Sequence, residues 1–144
     1  RRQHDSNAPR LNLASSRIES SAYAEALEIL SELESRGGDT RRLWRAIAWT
    51  SFMTGDYATA RKYYRLIYQD EPTEADLLNM GHLAWVEHRM ADAIDLYHRS
   101  MQIAGENIAS LHDRITADFP VLAPNGIDRS ELPLILDAIR GAEL

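Results

Sequence analysis

Five histidines, His4, His82, His88, His98 and His112, together with an excess of carboxylates, are the groups from which this chain could build chemistry. Metal binding or general acid–base catalysis needs several such groups converging on one site. His82 and His88 stand six apart, which turns them to different faces of a helix. No His-x3-His or Glu-x2-His spacing occurs among the five. Asp92/Asp95 and Asp95/His98 are each three apart, a spacing that on a helix most often makes solvated surface partners. Cysteine is absent, which removes disulfides, thiolate nucleophiles and sulfur-ligated zinc. There is no Gly-x-Ser-x-Gly, no Walker sequence and no dinucleotide fingerprint, and Gly37-Gly38 alone does not make a phosphate loop. The expectation is a protein that is not an enzyme, with no catalytic residue, metal or cofactor.

Charge narrows the partners. The 144 residues carry 16 basic and 22 acidic side chains, a net −6, whereas a domain devoted to a nucleic-acid backbone is usually basic. Residues 41–73 are locally basic (Arg41, Arg42, Arg45, Arg61, Lys62 and Arg65), with acidic stretches on both sides. Apolar runs are far shorter than the ~20 residues of a membrane span, so no membrane insertion is expected. The chain opens Arg1-Arg2-Gln3 without an initiator methionine or an apolar leader, which reads as a fragment of a longer protein with a cytoplasmic location.

The elements that must position any site come from an internal repeat. Ala26/Leu30, Ala60/Tyr64 and Ala93/Tyr97 each pair a small residue with a large one four places on, at offsets of 34 and 33. A second anchor keeps the same step: Leu13-Ala14, Ile47-Ala48 and Met80-Gly81. A small residue lets two helix backbones approach, and the large one fills the groove beside it. Gly55-Asp56 and Glu87-His88-Arg89 mark turns within the second and third units, and Pro72 marks a turn between them. The spacing predicts helices over 8–20, 22–36, 40–54, 56–70, 74–88, 90–104, 107–118 and 129–140. The stretch from Phe119 to Gly126 reads as a breaker-rich loop, and Pro133 belongs in a first helical turn.

These residues carry a family resemblance. Leu43-Trp44-Arg45-Ala46-Ile47-Ala48, then Gly55-Asp56-Tyr57, Ala60, Tyr64 and Pro72, resembles a tetratricopeptide repeat, and units about 7–40 and 74–106 resemble it more weakly. The resemblance implies an all-α, right-handed solenoid of three antiparallel helix pairs over 1–106, closed by two C-terminal capping helices over 107–144. The tail is similar to the ends of bacterial tetratricopeptide-repeat proteins of unassigned activity. By resemblance, the first helices of the repeats line a concave groove. Repeat one supplies Ala8, Leu11, Asn12, Ser15, Ile18 and Glu19; repeat two supplies Arg42, Arg45, Ala46, Trp49, Phe52 and Met53; repeat three supplies Ala75, Leu78, Asn79, His82, Trp85 and Val86. The implied function is protein–protein interaction, with Arg42, Arg45, Trp49, Met53, Asn79, His82 and Trp85 presented to a peptide or partner helix, acidic ones included. Two alternatives stand beside it. One is a chaperone like those of type III secretion. The other is the structural end of a longer repeat protein, whose groove its own tail fills.

Overall fold

The computed structural model describes residues 2–19, 22–37 and 40–143; within the first helix, side chains are described for residues 9–18. The described residues are helical, without a strand: α1 (Arg2–Glu19), α2 (Tyr23–Arg36), α3 (Thr40–Met53), α4 (Tyr57–Gln69), α5 (Glu74–Val86), α6 (Met90–Ala104), α7 (Ile108–Ala117), the single turn α8 (Phe119–Leu122) and α9 (Leu132–Ala142). Short 3-10 turns cover Ala123–Asn125 and Arg129–Glu131. The chain divides into two compact units, Arg1–Ile67 and Tyr68–Leu144. The third helix pair and the tail therefore share one unit, where the sequence reading drew its boundary at 106/107.

In the first unit α1 packs on α2 and α2 on α3. The small residues of the repeat are buried: Ala14, Ala26, Ala48 and, on α4, Ala60 have no exposed surface, and the large partners Leu30 and Tyr64 are buried. Gly55 takes a left-handed backbone (φ 84°) that a side chain would strain, and Asp56 caps the next helix by accepting from the Thr59 N–H at 3.2 Å. Tyr63 donates its hydroxyl proton to Glu34. Burial, then the Glu34 carboxylate, pushes the phenol up to about 12, so it remains a donor. One boundary differs from expectation. The first helix begins at Arg2 instead of 8 and runs through Pro9. Proline lacks the N–H and crowds the carbonyl four residues back, but Pro9 is exposed, where a bend costs little packing.

In the second unit α5 is the central rod. Nine of its residues, from Asp76 to Trp85, are buried, because α6 covers one side and the tail another. Thr73 and Asp76 form a reciprocal capping box at its start, with contacts of 3.2 and 2.9 Å. Gly81 sits against the Tyr97 ring so closely that a Cβ there would lie 2.7 Å from Cε1. Tyr97 is the large member of the Ala93/Tyr97 pair, and Gly81 belongs to the second anchor of the repeat. The α6 helix also packs on α7 and α9, and α7 packs on α9. The expected loop after α7 is instead helical over Phe119–Asn125. Pro120 and Pro124 fall at the first positions of their turns, where a missing N–H is harmless, and Gly126 (φ 86°) ends the run.

Candidate functional site

The groove positions inferred from the sequence fall into both units, and their surroundings differ. In the first unit, α1 and α3 pack side by side and share a face. Arg42 is exposed and donates to the Asn12 side chain at 2.9 Å, so two inferred groove residues from successive repeats meet there. Arg45, Ala46, Trp49 and Met53 follow along α3 and are half-buried; Ser15 and Ile18 of α1 are half-buried and Leu11 is buried. The Trp49 indole stacks nearly parallel on Phe52, with centroids 5.4 Å apart at 15°. Phe52 is fully buried and leans on Tyr57 at 5.8 Å. A half-exposed indole braced by a buried ring, beside two arginines, is the type of anchor on which peptide recognition concentrates. The side chains of Ala8 and Glu19 lie outside the described residues.

The second unit closes its counterpart. Asn79 and Val86 are half-buried, but His82 and Trp85 are 0% and 1% exposed. The sequence reading presented both rings to a partner; here the chain's own tail covers them. His82 Nε2 lies 2.8 Å from the Asp118 carboxylate and Nδ1 lies 2.6 Å from the Tyr97 hydroxyl. The carboxylate accepts only, so Nε2 carries the proton and Nδ1 accepts from Tyr97. Burial holds the His82 pKa below the ordinary histidine value; Asp118 opposes this shift and Arg114 adds to it. Trp85 donates its indole N–H to Glu131 at 2.9 Å and meets the Phe119 ring edge-on at 5.9 Å.

A carboxylate, an imidazole and a hydroxyl in line invite comparison with a proton relay. The Tyr97 hydroxyl cannot serve as a nucleophile there, because the side chain has no exposed surface and burial raises its pKa well above the phenol value. The line is a satisfied internal polar network. Among the described residues no group of three or more histidine, aspartate or glutamate side chains is placed to hold a metal ion. No described helix is long and apolar enough to cross a membrane.

Two cavities open on the second unit. One, about 570 Å³, lies between Tyr68, Pro72 and α6. Its polar groups are already engaged: Arg99 with Asp95 at 3.1 Å and over the Tyr68 ring, and His98 with Glu143 at 3.0 Å. The other, about 540 Å³, lies between α7 and α9. Comparison with protein-family models, curated proteins and solved structures gives no match.

Asp118, Phe119 and Glu131, which cover α5, were not among the site residues that the sequence suggested. A signal for them existed. The run Leu77-Leu78, Met80, Leu83-Ala84-Trp85 is apolar around most of the helix, and such a helix must be covered on more than one side.

Proposed function

We propose that this chain is a tetratricopeptide-like module for protein–protein interaction, non-catalytic, in which the α1/α3 face of the first unit binds a peptide or partner helix. The observation that carries the reading is Trp49, half-buried and braced on Phe52, in line with Arg42 and Arg45 on α3. Arg42 and Arg45 are three apart and Trp49 is four beyond Arg45, so the three share one helical stripe. The small-residue seams, buried at each repeat position, support the helix-pair register on which the resemblance rests. Guanidinium groups beside an aromatic platform favour a ligand carrying carboxylates.

For the second unit, the burial of His82 and Trp85 favours the structural alternative: its groove is filled by the chain itself, as a terminal unit of a solenoid seals an open core. The division of labour is thus a binding face on α1/α3 and a sealed end at α5.

The test is a peptide-display selection on the immobilised chain, followed by fluorescence anisotropy with the peptides recovered. Trp49→Ala is expected to weaken them about tenfold or more, and Arg45→Glu to weaken acidic ones; because Trp49→Ala also removes the stack on Phe52 and lowers the melting midpoint, binding is measured well below that midpoint. Peptides that bind Trp49→Ala as tightly as the parent chain would remove the α1/α3 face from the reading.

A further inference from the structure

We propose that the groove between α7 and α9 is a second docking site, one that receives an acidic amphipathic helix of a partner protein. It rests on residues that the α1/α3 reading does not use.

The floor of the groove is Leu132, Pro133 and Leu136 of α9, of which Pro133 is exposed while the two leucines, 3% and 8% exposed, show only their edges. Its rim carries Arg129, Arg140 and His112, with Asp137 the acidic member of the lining. Arg129 is the informative residue. The second unit holds 5 arginines against 14 carboxylic side chains, so partners for arginine abound. Arg89, Arg99, Arg114 and Arg140 each pair with a carboxylate at 3.1 Å or less. Arg129 makes no ion pair among the described residues. Its guanidinium carbon lies 4.4 Å from the centroid of the Phe119 ring, and that ring is itself buried. A guanidinium held over a ring by its charge leaves its N–H groups to bond a carboxylate as well. The side chain is held before any ligand arrives, so less rotamer entropy is lost on binding.

The other polar groups of the rim are available to a partner. Arg140 pairs with Asp137 on its own helix, but both side chains are more than half exposed, and such pairs exchange at little cost. His112 pairs with its exposed neighbour Asp113 in the same way. The second unit as a whole is acidic, but the groove sets two arginines against Asp137 alone, so complementarity at this rim selects a carboxylate-bearing occupant.

Shape selects a helix. The groove opens to solvent along one side, so a bare lipid chain on this floor would remain half in water. A helix closes over the floor with one apolar stripe and sets its acids at the rim. Leu132 and Arg140 are eight residues apart, about 12 Å along α9, which matches two turns of a partner.

The probe is a fluorescein-labelled, 15-residue helix-forming peptide with leucines on one stripe and glutamates flanking it, titrated into the full chain and read by anisotropy. A second peptide carries lysine for every glutamate. The acidic peptide is expected to bind and the lysine peptide not to. Arg129→Gln should weaken binding about tenfold or more, as loss of a charged hydrogen-bonding partner does, and Arg129→Lys should fall between. Arg140→Gln should weaken it less, and because the α1/α3 face is itself proposed to take acidic peptides, the titrations are repeated in a Trp49→Ala chain, where the Arg129-dependent binding should remain. Four results would overturn the proposal: no binding of the acidic peptide, equal binding of the lysine peptide, indifference to Arg129→Gln, or no Arg129-dependent binding in the Trp49→Ala chain. Self-association that Arg129→Gln abolishes would also overturn it, by making a second copy the occupant.

Discussion

At the residue scale, His82 decides how the second unit responds to acid. Its native pKa lies below the unfolded value near 6.5 because burial disfavours the imidazolium. The unfolded chain therefore binds a proton that the native chain refuses, and stability falls as pH drops below about 6.5, until the native pKa is reached. Asp118 lessens the effect and Arg114 increases it. A glutamine side chain at this position can still donate to Asp118 and accept from Tyr97, yet does not titrate. Urea unfolding of the parent and His82→Gln at pH 7, 6 and 5 should diverge in slope by up to about 1.4 kcal/mol per pH unit. Parallel stability curves would show that His82 takes up its proton as readily in the folded chain. A second residue of this kind is Gly81. A methyl group there would press into Tyr97, whose ring is buried and tied to His82. Gly81→Ala should cost about 1–3 kcal/mol despite the better helix propensity of alanine. A denaturant midpoint unchanged by this substitution would mean that the α5–α6 seam can yield.

At the scale of elements, the two helix-pair turns show how one backbone solution is reached with different residues. Gly55 (φ 84°) and His88 (φ 60°) occupy the same place in successive repeats, 33 residues apart. Both following residues donate their N–H to a carbonyl inside the preceding helix, Asp56 to Ser51 at 2.9 Å and Arg89 to Ala84 at 2.8 Å. A left-handed backbone suits glycine and strains histidine, and His88 is exposed with nothing buried to lose. His88→Gly is expected to stabilise the chain by about 0.5–1 kcal/mol, the greater freedom of glycine in the unfolded chain offsetting part of the relief. Thermal unfolding of the variant at or below the parent midpoint would contradict this. The turns were legible because glycine, aspartate and proline act locally; α3 to α7 begin and end within two residues of their predicted limits. The elements that differed depend on what packs around them. The spacing starts the first helix at 8, yet α1 begins at Arg2 and passes through Pro9, and Phe119–Gly126 reads as a loop, yet Phe119–Asn125 coils into short turns because Phe119 and Leu122 are drawn into the core. No local pattern names the partners 36 and 46 residues away that join His82 to Asp118 and Trp85 to Glu131. That is why the candidate site was only partly legible: Arg42, Arg45 and Trp49 keep exposed surface on α3, while His82 and Trp85 do not.

At the scale of the whole molecule, the two units differ in charge far more than the net −6 suggests. Residues 1–67 hold 11 basic and 8 acidic side chains, and residues 68–144 hold 5 and 14. The second unit therefore carries −9, the first +3. Each of the four paired arginines of the second unit neutralises one or two carboxylates, and the remaining acids repel one another through water. Salt screens charges separated by more than ~10 Å at 0.1 M, so it relieves long-range repulsion while leaving the short, partly buried Arg114–Glu106 pair largely intact. The three tryptophans allow the units to be read apart, since Trp44 and Trp49 lie in the first and Trp85 in the second. In a chain with Trp44→Phe and Trp49→Phe, fluorescence follows the surroundings of Trp85; in a Trp85→Phe chain it follows the first unit. Raising sodium chloride from about 20 mM to about 300 mM is expected to stabilise the unit reported by Trp85 by on the order of 1 kcal/mol, a few degrees in midpoint. The unit reported by Trp44 and Trp49 should move much less, because its charges nearly balance. A salt response equal in both reporters, or a second unit destabilised by salt, would mean that local ion pairs, and not the accumulated charge of the tail and its helix pair, govern the electrostatics of this chain.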